Sequence, residues 1–156
     1  MTSDDKWLSE AISLATQNVS RGGGPFGALV VRDDVVLSTG TNQVTPTLDP
    51  TAHAEIVAIR RACTELGEFS LAGCTLVCSC EPCPLCLAAA LWSRLDRVLY
   101  AADRDDAARA GFDDRRFHQL FSARTEQWQL ELNQLRTGEE NAPFDAWLAN
   151  PDRTEY

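Results

Sequence analysis

Two short stretches constrain this chain more than any other feature: Thr51-Ala52-His53-Ala54-Glu55 and Ser79-Cys80-Glu81-Pro82-Cys83-Pro84-Leu85-Cys86. Together they supply an imidazole, two thiols and a carboxylate two positions after the histidine. A catalytic Zn²⁺ commonly takes three N/S ligands and keeps a fourth position for water. His53, Cys83 and Cys86 meet that count, and Glu55 is near enough to serve the water without ligating. Each half alone says little. A Cys-x-x-Cys can be a redox pair, and a His-Ala-Glu is usually an ordinary helical turn. Each half, however, falls at an expected helix start, where the helix dipole favours anionic character beside a metal. A closed alternative also fits the spacing: Cys80 could be a fourth ligand and make the site structural.

Around these stretches the chain alternates between helical and strand patterns. Trp7, Leu8, Ala11, Ile12, Leu14, Ala15 and Val19 recur at helical spacing, with Ser3 or Asp4 as N-cap. Arg21-Gly22-Gly23-Gly24-Pro25 breaks that helix, and its glycines suit a close approach of backbone to a ligand. Phe26–Arg32 and Val35–Ser38 read as a hairpin turned at Asp33-Asp34. Residues 41–50 are polar, carry two prolines and read as a loop. Asn42 within it is a turn former by type, although its amide can also offer a donor and an acceptor to a base edge. Thr51 caps a helix from Ala52 to about Leu66, ended by Gly67. Cys74–Cys78 is a short apolar strand. A helix from Cys83 to about Ser93, opened by Pro82 or Pro84, is apolar nearly all round and is expected to be buried. Arg97–Ala101 reads as a strand covered on both faces. Further helices are expected from Phe112 to Phe121 and from Pro143 to Ala149.

This order implies an α/β fold, a three-layer α/β/α sandwich on a mixed five-stranded sheet. The fifth strand is Trp128–Leu132, an alternating segment placed at the edge. The 156 residues are expected to form a single domain, 1–156. Such a chain buries roughly 70% of its unfolded surface, so a metal is not needed to hold the core. The 14 basic and 23 acidic residues leave a net charge of −9. Nucleic-acid affinity rests on an excess of Lys and Arg, so the balance favours a small uncharged substrate. No apolar run reaches membrane-spanning length, and Met1-Thr2-Ser3-Asp4-Asp5-Lys6 is not a basic-then-apolar leader; the expectation is a cytoplasmic protein. The six cysteines cluster in one region, which points to thiols and metal rather than disulfides.

The residue set has a definite chemistry. Zinc lowers the pKa of water to about 7, and one carboxylate can move the water's proton to a ring nitrogen and then to a leaving amine. Glu55 is the candidate. Glu81 ranks lower because Glu suits a helix N-terminus. His118 reads as a surface or packing residue, and Trp7, Trp128 and Trp147 as core. Trp92, late on the cysteine-bearing helix, is better placed to line a pocket.

His-x-Glu followed by Pro-Cys-x-x-Cys resembles the zinc nucleobase deaminases of the cytidine deaminase-like superfamily. Gly24-Pro25-Phe26-Gly27-Ala28, Asn42, Asp49-Pro50-Thr51, Ala110-Gly111-Phe112-Asp113-Asp114 and the Glu155-Tyr156 ending are similar to its bacterial guanine deaminase branch. The resemblance implies hydrolysis of guanine to xanthine and ammonia, with His53, Cys83 and Cys86 as Zn²⁺ ligands and Glu55 as proton shuttle. It implies that Phe26 stacks on the purine base, that Asn42 and Asp114 bond its edge, and that the Ala54 backbone and Trp92 line the pocket. It further implies a homodimer in which residues 143–156 are exchanged, so that Tyr156 closes the partner's site. Arg115–Asn141 carries nothing over. The rivals are a tRNA adenosine deaminase, a cytosine or guanosine deaminase, and a zinc-structured interaction module without activity. The first would need a polyanion-binding surface, and Tyr156 opposes the ribose of guanosine.

Overall fold

In the computed structural model, which describes residues 2–156, helix α1 (Ser3–Ser20) is started by Thr2 rather than by Ser3 or Asp4. The Thr2 hydroxyl accepts the Asp5 N–H, and the Asp5 carboxylate accepts the Thr2 N–H, a reciprocal capping box. The buried stripe of α1 is Ala11, Ala15 and Asn18. Its small side chains let strand β1 (Gly27–Arg32) lie directly against the helix. A Cβ on Gly27 would stand 2.4 Å from the Ala11 carbonyl oxygen, so no larger residue fits there.

Strand β2 (Val35–Thr41) pairs antiparallel with β1. Asp33 and Asp34 both turn at positive φ (51° and 60°), as a two-residue hairpin of matching twist requires. The expected loop after β2 contains a single helical turn, α2 (Val44–Thr47). Helix α3 (Ala54–Leu66) follows, ended by Gly67 in the left-handed region. Strand β3 (Thr75–Cys80) lies antiparallel to β1 and parallel to β4 (Arg97–Ala102). Helix α4 (Pro84–Trp92) makes the crossover that a parallel pair needs. Alternate strand residues feed two cores. Ala28, Val30, Leu76 and Cys78 pack with α3 and α4, while Leu29, Val31 and Val77 pack with α1. The three-layer arrangement is therefore met.

Two expectations are corrected. The sheet has four strands in the order β2-β1-β3-β4, not five. Trp128–Leu132 forms no strand. Thr125–Gln127 is a 3-10 turn. The Trp128 indole N–H then donates to the Leu120 carbonyl at 2.9 Å, and its ring packs on Phe121, which diverts the segment from the β4 edge. Helix α4 is not buried either. Cys86 and Ala90 face inward, but Leu85, Leu87, Leu91 and Trp92 are exposed, because no layer of the same chain covers that side.

Beyond the sheet, α5 (Arg104–Arg109) is capped by Asp103, and α6 (Arg115–Phe121) begins three residues later than the sequence pattern suggests. Gly111, at φ 92°, makes the turn between them. Helix α7 (Ala142–Ala149) lies near the C-terminus. The last third of the chain leaves Leu130, Leu132, Leu135, Phe144 and Leu148 exposed.

Candidate active site

Two helix starts meet at one end of the sheet. His53 is the N-cap of α3 and Cys83 the N-cap of α4, both with extended backbone; Cys86 sits inside the first turn of α4. Gly40 on β2 makes this placement possible. A Cβ there would lie 2.1 Å from the Ala54 carbonyl oxygen, so only glycine lets the strand seat against the turn that carries His53 and Glu55. His53 Nδ1 stands 3.5 Å from Cys83 Sγ and 3.4 Å from Cys86 Sγ, and the sulfurs are 3.7 Å apart. A tetrahedral zinc with Zn–S of about 2.3 Å and Zn–N of about 2.05 Å separates its ligand atoms by roughly 3.6–3.8 Å. The three donors already have that spacing, so they fit zinc. Among the described residues no other cluster of three metal-capable side chains comes this close.

Cys80 does not close the tetrahedron. Its thiol is directed to the Asp103 carbonyl at 3.6 Å. Glu81 is also committed elsewhere. Its carboxylate accepts the Arg104 backbone N–H and two guanidinium nitrogens, and those bonds hold it below the usual carboxylate range. The expectation of a helix N-terminus for Glu81 is met, on α5 rather than α4.

The sulfurs are electrostatically unlike. Cys86 donates to Cys83, and this bond, aided by His53 and opposed by burial, brings the Cys83 thiol down to about 4. Cys86, as the donor, holds its own proton more tightly than a free thiol. The Cys83 thiol is thus the easier of the two to ionise, and the thiolate is the form a metal takes. The His53 ring is pushed up, first by its contact with Cys83 and against burial. Glu55 is 8% exposed. Burial raises its carboxyl, with a further push from Cys83 and opposition from His53. A carboxyl moved toward neutrality is suited to exchanging protons.

Above this cluster opens a cavity of about 490 Å³. Phe26, Asn42, His53, Glu55, Cys83 and Asp114 all line it, so the fold assembles most of the residues singled out from sequence. Phe26 and Phe112 meet edge to face, 5.0 Å between centroids and 89° between planes, and form an apolar wall for a flat ring. Asn42 is buried and accepts the Val44 N–H through Oδ1 at 3.2 Å; its Nδ2 has no protein partner among the described residues. One carboxylate oxygen of Asp114 is buried and unpaired. Ala54 is fully buried between His53 and Glu55 and is not on the cavity wall. Trp92 and Tyr156 do not reach the cavity of their own chain. They pack on each other at 6.3 Å, with Phe69 and Trp147 beside Tyr156.

Asn18 is a residue that the helical pattern does not single out. Its Nδ2 donates to the Gly24 carbonyl at 2.9 Å and the Asn42 carbonyl at 2.8 Å. A Cβ on Gly23 would stand 2.2 Å from that nitrogen. The close approach served by the glycine run is therefore to Asn18 and Asn42, and Gly22, Gly23 and Gly24 also line the cavity. Asn18 had a readable mark: it is the polar member of the helix face that carries Ala11 and Ala15. Phe117, also on the wall, had none beyond its hydrophobicity, while Phe112, on the wall too, stood in the Gly111-Phe112-Asp113-Asp114 stretch without being given a role.

The pattern described as the cytidine and deoxycytidylate deaminase zinc-binding region matches residues 1–102, a span that holds His53, Glu55, Cys83 and Cys86. The chain belongs to the cytidine and deoxycytidylate deaminase family. It has that family's fold, and the His53, Cys83 and Cys86 cluster is its zinc site. Within this deaminase family it is 44% identical over 153 residues to guanine deaminase of Bacillus subtilis (strain 168), covering 97% of this chain and 98% of the relative. The crystal structure of Bacillus subtilis guanine deaminase superposes with a TM-score of 0.94 over the same shares. The structure of NE0047 in complex with 2,6-diaminopurine matches at 34% identity and TM-score 0.69, covering 71% of this chain and 62% of that one. The tRNA-specific adenosine deaminase of Aquifex aeolicus (strain VF5) is 38% identical over only 96 residues, 62% of this chain and 64% of the relative.

Proposed function

We propose that this chain is a zinc-dependent guanine deaminase, hydrolysing guanine to xanthine and ammonia, and that residues 1–156 act as one deaminase domain. The observation that carries the reading is the open donor triangle of His53, Cys83 and Cys86 with buried Glu55 beside it, at the floor of a cavity walled by an aromatic pair. The near full-length similarity to a guanine deaminase supports the base. Zinc held by the three donors supplies Lewis acidity, which lets an attacking water ionise near neutral pH.

This chain's residues do the rest. Glu55 takes a proton from the attacking water and passes it to the ring nitrogen beside C2 as that carbon becomes tetrahedral. It carries the second proton to the departing amine, which leaves as ammonia while C2 becomes a carbonyl. Phe26 stacks on the base and, with Phe112, excludes water. The Asn42 amide nitrogen donates to an acceptor on the purine edge, and Asp114 accepts a ring N–H. The test is ammonia release from guanine, guanosine, adenine and cytosine by zinc-loaded protein. Release from guanine is expected, and release from adenine or cytosine alone would overturn the substrate.

The reading includes a homodimer with residues 143–156 exchanged. Leu91 and Trp92 on α4, and Phe144, Leu148 and Tyr156 near the C-terminus, are left exposed by a single chain, and exposed apolar side chains of this kind supply the surface a partner chain buries. In the partner, Tyr156 would close the site that it does not reach in its own chain. Light scattering should give twice the 17.2 kDa chain mass; the monomer mass would contradict the exchange. No described helix is long and apolar enough to cross a membrane, and the compartment proposed is the cytoplasm.

A further inference from the structure

Asp114 is the N-cap of α6, a position where Asp normally turns its carboxylate onto its own helix N–H groups. Here it makes no such bond. The carboxylate faces His118, one turn along the helix, with Oδ2 and Nε2 3.4 Å apart, and both side chains are largely shielded from solvent. That distance exceeds a formed N–H···O bond. His118 Nε2 is therefore buried without a partner, and Asp114 Oδ1 is buried and unpaired as well. Buried polar atoms are rarely left so, and Asp114 lines the cavity. His118 also faces Glu81, but that carboxylate is taken by Arg104. Asp114 is the acceptor left for the imidazole.

We infer that His118 is a positioning residue: its Nε2–H holds Asp114 Oδ2 and so fixes the carboxylate that lines the cavity as the acceptor for a ring N–H of the substrate. The inference rests on the deaminase reading above. Closing the 3.4 Å gap pairs Oδ2 with Nε2 and holds the carboxylate in one orientation on the cavity wall. His118 is not among the residues that line the cavity, so it acts through Asp114 alone. An interaction made equally in the bound and transition states changes KM and leaves kcat nearly untouched.

The test is steady-state guanine turnover and zinc content for H118L, H118Q, D114N and the H118L/D114N double variant. H118L is expected to keep one zinc per chain and kcat within about twofold, while KM rises about tenfold, equivalent to about 1.4 kcal/mol. H118Q, whose amide can still donate, should stay within about threefold of the unaltered chain. The double variant should be no worse than D114N, since coupled residues are not additive. If H118L does not fold, H118N, too short to reach Asp114, takes its place in the same comparison. Additive losses, or an H118Q as impaired as H118L, would overturn the inference. The two failures separate. An unaltered chain that releases no ammonia from guanine sinks the substrate reading, whereas an active chain with additive losses sinks the His118–Asp114 pair alone.

Discussion

Asn18→Leu removes one buried donor and tests how the far end of α1 holds the active site. Asn18 is 3% exposed, and its amide bridges the Gly24 and Asn42 carbonyls. Leucine has a similar shape but cannot donate. The two acceptors do not suffer equally. Gly24 O also accepts the Phe26 N–H at 2.9 Å, so its loss is one ordinary bond, about 1 kcal/mol. Asn42 O loses a buried partner outright, which costs about 1–3 kcal/mol. The sum is about 2–4 kcal/mol, or roughly 6–12 °C in melting temperature for a chain of this length. The functional effect is separate. The glycine loop and Asn42 are no longer tied together, so Asn42 loses its set position on the cavity wall, and KM for guanine should rise several-fold with zinc retained. Asn18→Asp should be worse than Asn18→Leu, because a carboxylate would face two carbonyl oxygens. Calorimetry and steady-state kinetics on both variants decide it. A melting temperature within about 2 °C and an unchanged KM for Asn18→Leu would refute the argument.

Two further outcomes follow from the geometry. Stripping zinc with a strong chelator should abolish ammonia release, and one equivalent of zinc should restore it while magnesium does not, since two thiolates and an imidazole disfavour a hard oxygen-seeking cation. Glu81→Gln should show a pH-dependent stability gap. The Glu81 carboxyl is held below its ordinary 4.5 by Arg104, so its contribution is present above that pH and lost as the pH falls through the lowered folded value. The variant should melt lower than the unaltered chain at pH 7, by a margin that screening keeps small. The two should converge in acid, and melting curves that stay apart below that range would contradict the Arg104 assignment.

The parts of this molecule that could be read from residues alone are those written in local spacing. His53 and Glu55 two apart, and Cys83 and Cys86 three apart, locate the donors and the shuttle before any fold is known, because a first helical turn fixes their relative positions. The hairpin at Asp33-Asp34 and the short apolar runs of β1 and β3 were legible for the same reason. Trp128–Leu132 misleads because period-two alternation marks a strand only where an edge is available to pair with it; the Trp128 indole instead bonds back to Leu120. Helix α4 misleads because an all-apolar pattern suggests burial on every side, whereas the other elements of this chain leave Leu85, Leu87, Leu91 and Trp92 exposed. Asn18 was missed because its place on the Ala11 and Ala15 face marks it as buried but does not name its partners, which lie 6 and 24 residues away. His118 looked like packing because only the folded α6 sets it against a carboxylate with an unpaired oxygen.

The central claim is that a buried carboxylate beside three zinc donors moves protons and holds no metal. Zinc content and guanine turnover, measured side by side on Glu55→Gln, test it most directly. One zinc per chain with turnover reduced at least about a thousandfold is the expected result. Loss of zinc, or turnover close to that of the unaltered chain, would contradict it.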